Sequence, residues 1–439
     1  MSGGAVVNVV IGLGLAPIVS RMYTKEEFGI YYIYLSVISI GGLIINGMYN
    51  MAFVVPKREE DFLALLKFCL ISSFFGSLIF FFFLLIARST FLNWISAEEL
   101  GHFAYLLPLG LFLSSLVVSF QNWNVRRKEF KTNSFSSVVT GVADRGSQIG
   151  FGLSYGAIFP SLIFSKILSD ILTLISLSKR SMLPVMVQAF GIPNSLMKKK
   201  LGEYVKYPKF ILSGNFINRL SGDLPLYLFA ATFDLKAAGA FGFATAILNV
   251  PYKVIGGSIS TVYFQKATEL YNKDKKMLQE FSKSSFMKMT FLGSLAFGFI
   301  FGFGDIIFNV VFGSEWNLAG RIARVLSMFY IFKIVSSPFS TVIRSVRKEE
   351  YGIYLNIVLA LCRLLGIFTG IMTGNLIYAV VFFAFGNIIG YLVSNVLIFK
   401  AQEIPCFKSM LNSTLVIGLV FGLFYVARLL TLPFIESFI

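Results

Sequence analysis

The sequence predicts an all-α polytopic membrane protein, with two sets of six spanning helices and an extra C-terminal helix. Three observations carry that prediction. Of 439 residues, 56% are hydrophobic and only 14% are charged, against about 25% charged in a soluble domain. The apolar runs recur at about 18 to 25 residues, the length a helix needs to cross a bilayer. The short alternating segments of a transmembrane barrel and the amphipathic period of soluble helices are both missing.

The elements follow in order. Apolar spans are expected over 4–20, 28–49, 62–86, 102–120, 134–155, 157–178, 209–231, 237–258, 284–304, 318–343, 351–373, 376–399 and 411–430. The first is short, lacks a basic leader and runs at once into Arg21 and a second span, unlike a removable signal peptide. The last is the extra helix; an even count of spans places both termini on one side. The longest polar stretch, 179–208, divides the chain. Residues 1–178 are expected to form an N-terminal bundle, 179–208 a Lys-rich connector, 209–400 a C-terminal bundle and 401–439 an extra helix and tail. An internal echo supports two halves. Pro17 to Gly29 resembles Pro225 to Gly239, and Lys57–Asp61 resembles Lys273–Lys276. Two six-helix halves that start on one side imply a parallel repeat about the membrane normal.

The net charge of +16 does not require nucleic acid. The basic residues gather in alternate connections. They include Lys57 and Arg58, Arg126 to Lys131, Lys179 to Lys209, Lys266 to Lys288, Arg344 to Lys348, and Lys400 with Lys408. By the positive-inside rule these connections and the N-terminus face the cytoplasm. The Lys198–Lys200 run is either a plain cytoplasmic anchor or a contact for anionic membrane lipid.

Several chemistries are excluded. There is no Gly-rich loop ending in Lys-Ser or Lys-Thr, hence no nucleotide motor of that type. A single histidine, His102, rules out a His-Glu-x-x-His zinc site, and no Gly-x-Ser-x-Gly elbow occurs. Cys69, Cys362 and Cys406 form neither a disulfide framework nor a metal spacing. No cofactor is expected. No outward loop is long enough for a catalytic domain.

The informative residues are the charges inside the spans, each costing about 3 kcal/mol at a helix centre and normally facing a partner or a hydrated cavity. They are Asp144, Arg145, Lys166, Asp170, Arg219, Asp223, Lys253, Lys333 and Arg363. At helical periodicity they share faces with other polar residues. Asp144, Arg145 and Gln148 lie together, as do Asn215, Arg219 and Asp223; Asn249 with Lys253; Tyr330 with Lys333; and Asn356 with Arg363. Hydroxyl and amide stripes alone are usual helix–helix glue, whereas charges point to a hydrated cavity. Each acid has a basic neighbour, with Lys166–Asp170 and Arg219–Asp223 spaced i,i+4. No acid lies within one turn of Lys253, Lys333 or Arg363. Lys253 either faces the cavity or snorkels to the surface. An excess of cations in a low-dielectric site predicts an anionic substrate. Asp144, Asp170 and Asp223 are the intramembrane acids available for coupling to a proton or Na⁺.

At this point the chain resembles a known family. Pro17, Arg21, Tyr23, Phe28 and Gly29 are similar to the Pro-x-x-x-Arg-x-Tyr-x-x-x-x-Phe-Gly stretch of bacterial polysaccharide exporters of the O-antigen flippase type. The segment Asn50 to Lys57 also resembles theirs. The second half repeats the likeness at Tyr207-Pro208, Leu224-Pro225, Ala238 to Phe241, Asn249 to Pro251 and Val262 to Ala267. The resemblance covers nearly the whole chain and rests on motif order and spacing. It implies the multidrug/oligosaccharidyl-lipid/polysaccharide transporter fold, two six-helix bundles around a central cavity with alternating access. It implies a lipid-linked oligosaccharide substrate on a polyprenyl pyrophosphate, carried across the bacterial cytoplasmic (inner) membrane for surface polysaccharide, with a polysaccharide polymerase and glycosyltransferases as partners. The expected substrate-binding cations are Arg145, Arg219, Lys253, Lys333 and Arg363, and the expected polar lining is Gln148, Asn215, Tyr330 and Asn356. Those sites rest on the face analysis, because no family motif carries them. The alternative is an ion-coupled drug or metabolite antiporter of the same superfamily. An enzyme is not expected.

Overall fold

In hydrocarbon every backbone N–H and C=O must be paired within the protein, and a helix does this segment by segment. The computed structural model describes residues 3–178, 182–345, 350–401 and 406–436, and within them regular structure is entirely helical. Lys179, Arg180, Arg347 and Lys348 of the basic connections lie outside the described residues, as do 402–405 of the C-terminal segment. The helices are α1 (Gly3–Met22), α2 (Lys25–Asn46), α3 (Glu59–Trp94), α4 (Leu107–Arg126), α5 (Phe130–Tyr155), α6 (Phe159–Ser178), α7 (Met182–Gly191) and α8 (Asn194–Glu203). They continue with α9 (Ser213–Thr232), α10 (Leu235–Pro251), α11 (Gly257–Lys273), α12 (Lys275–Ile307), α13 (Asn317–Ser345), α14 (Glu350–Ile371), α15 (Leu376–Ala401) and α16 (Cys406–Glu436).

Each expected span has a helix in its place. Among the described residues, nine helices are long and apolar enough to cross a membrane. The helices at 4–20, 134–155, 209–231 and 318–343 fall below that mark. In the last three the cause is visible: they carry Asp144 and Arg145, Arg219 and Asp223, and Arg321, Arg324 and Lys333. Helices α3 and α12 have 36 and 33 residues, about 50 Å at 1.5 Å per residue, and so outrun the hydrocarbon layer of about 30 Å.

The chain divides into two compact units, Met1–Gly239 and Ala240–Ile439. In the first, α1 packs on α5, α5 on α6, and α2 on both α4 and α9. Small residues bring the backbones close. The Gly4 amide donates to Ser134 Oγ at 2.7 Å, and a Cβ on Gly141 would strike Asn8 at 2.4 Å. The two glycines of the internal echo meet. A Cβ on Gly239 would stand 3.0 Å from the Gly29 amide nitrogen and collide with the Lys25 carbonyl. The connector is also helical. Val185 and Ala189 of α7 are buried where that helix packs on α3, and Lys67 Nζ donates to the Ile192 carbonyl at 2.6 Å. From α8, Lys200 reaches Asp61 at 2.9 Å and Glu203 at 2.7 Å. Hydrogen bonds to Glu203 and Asp61 hold the Lys200 ammonium above its ordinary pKa.

In the second unit, α12 packs on α13 and α16, α14 on α15, and α13 on α11 and α15. The extra helix α16 is little buried over most of its length, with Leu419, Leu423 and Leu430 exposed. Ring contacts such as Phe301 with Phe421, glycine packing and a charge group attach it to α12. Gly298 and Gly302 of α12 admit Phe424 of α16. Below them Asp305 receives Arg428 at 2.6 and 2.7 Å and Arg324 of α13 at 3.1 Å. Arg428 also donates to the Gly302 carbonyl at 2.7 Å. The sequence left α16 without a docking face; this paired fork, among the stronger hydrogen-bond geometries, supplies it.

Asp305→Asn leaves two arginines without their carboxylate and should lower stability by about 3 kcal/mol. Thermal unfolding in detergent should show this, together with faster proteolytic loss of α16. Wild-type behaviour on both counts would detach α16 from this triad.

Candidate functional site

Two polar clusters stand inside the first unit. On α5, Arg145 Nη1 donates to Gln148 Oε1 at 2.8 Å and Gln148 Nε2 donates to Asp144 Oδ1 at 3.1 Å. Gln148 is 1% exposed and joins the two charges, which leave the helix one residue apart. The Tyr23 hydroxyl donates to the Gln148 carbonyl at 2.7 Å. On α6, Lys166 pairs with Asp170. Asp170 is buried, and α6 lies against α5, where the Thr140 and Thr173 hydroxyls stand 2.8 Å apart. Oxygen Oδ2 of Asp170 has no hydrogen-bond partner among the described residues. Buried polar atoms are rarely left so.

The second cluster joins α2 and α9. Arg219 Nε pairs with Asp223 Oδ2 at 2.8 Å. Ser36 Oγ donates to the same oxygen at 2.6 Å, and the Tyr227 hydroxyl donates to Ser36 Oγ at 2.7 Å. Asp223 and Tyr227 stand one turn apart on α9, and Ser36 closes the ring between them. Arg219 keeps 46% of its side chain exposed.

The second unit holds the other sequence-predicted cations. Asn249 Oδ1 on α10 accepts from Lys333 Nζ and from the Tyr330 hydroxyl, both at 3.2 Å. The Lys333 ammonium lies 4.4 Å from the Tyr330 ring centre and 4.5 Å from that of Tyr252, cation–π contacts that strengthen when desolvated. Tyr252 sits in a π-helical turn, Tyr252–Gly256, directly after Pro251. Proline has no N–H to give, and such turns re-aim side chains. Thr245 Oγ1, whose own carbonyl receives the Tyr330 hydroxyl, is buried with no partner among the described residues.

Arg363 of α14 is 5% exposed. Its Nε donates to Asn387 Oδ1 at 2.8 Å and an Nη donates to the Tyr391 hydroxyl at 3.3 Å, both on α15. The backbones approach here because Gly366 and Gly386 lack side chains. A Cβ on either would meet a carbonyl of the facing helix within 2.4 Å. That approach lets a side chain one turn before Gly366 reach the residue after Gly386.

Thus Asp144, Arg145, Gln148 and Asp170 come together in one group, Arg219 and Asp223 in a second, Tyr330 and Lys333 in a third, and Arg363 stands with Asn387 and Tyr391 in a fourth. Lys253 is exposed, one residue beyond Tyr252. Asn215 and Asn356 are partly buried, and among the described residues no hydrogen bond brings them into these groups. Sequence reasoning missed Ser36, Tyr227, Tyr252, Asn387 and Tyr391. Of these, Asn387 and Tyr391 had a signal, since they stand one turn apart in a largely apolar span.

A model of the polysaccharide biosynthesis protein family matches residues 18–320. The teichuronic acid biosynthesis protein TuaB of Bacillus subtilis is 22% identical over 221 residues, 49% of this chain and 45% of TuaB. The chain thus matches less than half the length of that relative. The succinoglycan biosynthesis transport protein ExoT of Rhizobium meliloti is 21% identical over 416 residues, 91% of this chain and 78% of ExoT. Among solved structures, the lipid II flippase MurJ in an inward closed conformation is similar with a TM-score of 0.71, 12% identity and 99% of both chains covered. At that identity the likeness is one of fold.

Asn387→Leu removes the Nε acceptor of a buried guanidinium and should lower stability by about 2 kcal/mol, read as a lower unfolding temperature in detergent. Asn387→Asp, which keeps an acceptor, should restore it. If both variants melt like wild type, Asn387 does not hold Arg363.

Proposed function

Because this chain belongs to the polysaccharide biosynthesis protein family of membrane transporters and flippases, we propose that it translocates a polyprenyl-pyrophosphate-linked oligosaccharide repeat unit by alternating access. The membrane is the bacterial cytoplasmic membrane, with the N-terminus inside. The product feeds a surface polysaccharide, and a polymerase and glycosyltransferases are the expected partners. The protein acts as a transporter and makes or breaks no covalent bond.

The observation that carries this reading is the pair of groups around Lys333 and Arg363. Two cations are held within apolar helices on tyrosine rings, hydroxyls and carboxamides. Such a surround orients each cation, and an oriented cation suits a passing pyrophosphate. Tyrosine rings and amides are also ordinary sugar partners, so Tyr330 and Asn249 fit the glycan beside the head group. Arg145 and Arg219 give the first unit its own cations, although both lie near carboxylates. A site that gives up its ligand on the far side must not bind it too tightly, and nearby carboxylates weaken an arginine in that sense.

The antiporter reading draws on one feature, the buried Asp170 with its unbonded oxygen. A carboxylate so placed can take up a proton or Na⁺. Within the flippase reading it supplies coupling.

Neutralising Arg219, Lys333 and Arg363 together to glutamine should leave lipid-linked repeat units on the cytoplasmic side and abolish surface polymer, measured by radiolabelled lipid extraction and surface glycan staining. Normal polymer in a well-folded triple variant would sink the site assignment. Asp170→Asn should remove any dependence of transport on a proton or Na⁺ gradient in vesicles. Drug efflux driven by such a gradient, with no effect on lipid-linked sugar, would favour the antiporter.

A further inference from the structure

The first unit contains an apolar groove of about 480 Å³ between α2, α3, α4 and α9. Apart from two glycines, every side chain on its wall is aliphatic or aromatic, among them Val37, Ile44, Phe80, Trp94, Leu224 and Tyr227. Helix α3 breaks at Ala87, whose φ of −120° and ψ of 24° leave the helical region. Beyond the break Phe91 packs edge-on against Phe80 with ring centres 5.5 Å apart, and Trp94 follows as a largely exposed wall residue.

One wall turns polar at a defined place. The Tyr227 ring lines the groove while its hydroxyl begins the chain through Ser36 to Asp223 and Arg219. Leu220 and Leu224, the residues following Arg219 and Asp223, line the groove as well. A half-exposed guanidinium therefore stands at the rim of an apolar slot. Asp223 takes its Nε, and a guanidinium carries further donors on its Nη nitrogens.

We propose that this groove seats the isoprenoid chain of the lipid-linked substrate, with the phosphate nearest the chain on Arg219. The inference rests on the transport reading above and names where the lipid end is held. A prenyl phosphate carries its phosphate directly on a single chain, so one slot and one guanidinium at its rim meet both parts. A glycerophospholipid sets a glycerol between phosphate and chain and brings a second chain, for which this single groove has no place. The four rings of Phe80, Phe91, Trp94 and Tyr227 offer faces and edges to the methyl branches of an isoprenoid. Asp223 sets the strength of the site, because it competes with the phosphate for Arg219.

The test is native mass spectrometry of the purified full chain in detergent, titrated with undecaprenyl phosphate and, separately, with dioleoyl phosphatidylglycerol. The wild type should prefer undecaprenyl phosphate. Ile44→Trp fills the groove from an exposed position, where the fold tolerates a larger side chain, and should weaken that binding about tenfold, or 1.4 kcal/mol. Arg219→Gln should weaken it and Asp223→Asn should strengthen it, a pair of opposite signs that a merely structural role would not produce. Equal binding of the two lipids, or unchanged binding in Ile44→Trp and Arg219→Gln, overturns the proposal. Transport in cells separates the two readings. Binding that follows these substitutions, in a protein that moves no lipid-linked sugar, keeps the groove and removes the flippase. Normal transport with no prenyl phosphate bound removes the groove alone.

Discussion

A formal charge at bilayer depth must be answered by neighbouring groups, since lipid offers none. This constraint organises the interior of the protein. Lys166 and Asp170 answer each other along one helix, while Arg219 and Asp223 need Ser36 of another helix to complete the arrangement. Asp305 draws two arginines from separate helices and so binds α13 and α16 to α12. Each answered charge is also a packing instruction: it states which face of a helix must meet which neighbour. Apolar faces in a membrane cannot do this, because lipid tails compete with them on equal terms.

Close backbone approach is the second half of the same arrangement. Short polar side chains such as Asn and Ser reach across an interface only when the helices nearly touch. Gly366 and Gly386 allow this between α14 and α15, and Arg363 finds Asn387 there. Gly29 and Gly239 allow it where the two echoing motifs meet. Filling such a contact displaces the charge network beside it, so packing and chemistry are not separable in these helices.

The charge groups differ in what they leave available. Around Asp305 the carboxylate is spent on two arginines and the result is structural. Around Lys333 and Arg363 the neighbours include rings, hydroxyls and amides, which orient the cations. Around Arg219 the balance is intermediate, with one carboxylate and a side chain still half exposed. The proposed transport function calls for this gradation, from charges that hold the fold to charges that would meet and release an anion. The apolar groove beside Arg219 extends the same logic to the lipid end of such a substrate.

How much of this was legible beforehand follows from the range of the forces involved. Helical periodicity and the length of apolar runs are local, so composition alone determined an all-helical membrane protein and placed a helix at every expected span. The i,i+4 pairs Lys166–Asp170 and Arg219–Asp223 were legible for the same reason. The link of Asp144 to Arg145 runs through Gln148, which the face pattern had already placed beside them. Contacts between helices were not legible. Nothing local tells that Arg363 meets Asn387 and Tyr391, that Lys333 rests on Tyr252, or that Arg428 reaches back to Asp305. Nor did hydropathy reveal that 182–203 of the polar connector folds into two helices against α3 and its neighbourhood. An apolar face reads the same whether it meets protein or lipid, and only the tertiary structure decides which, by the few polar and glycine contacts that lipid cannot imitate.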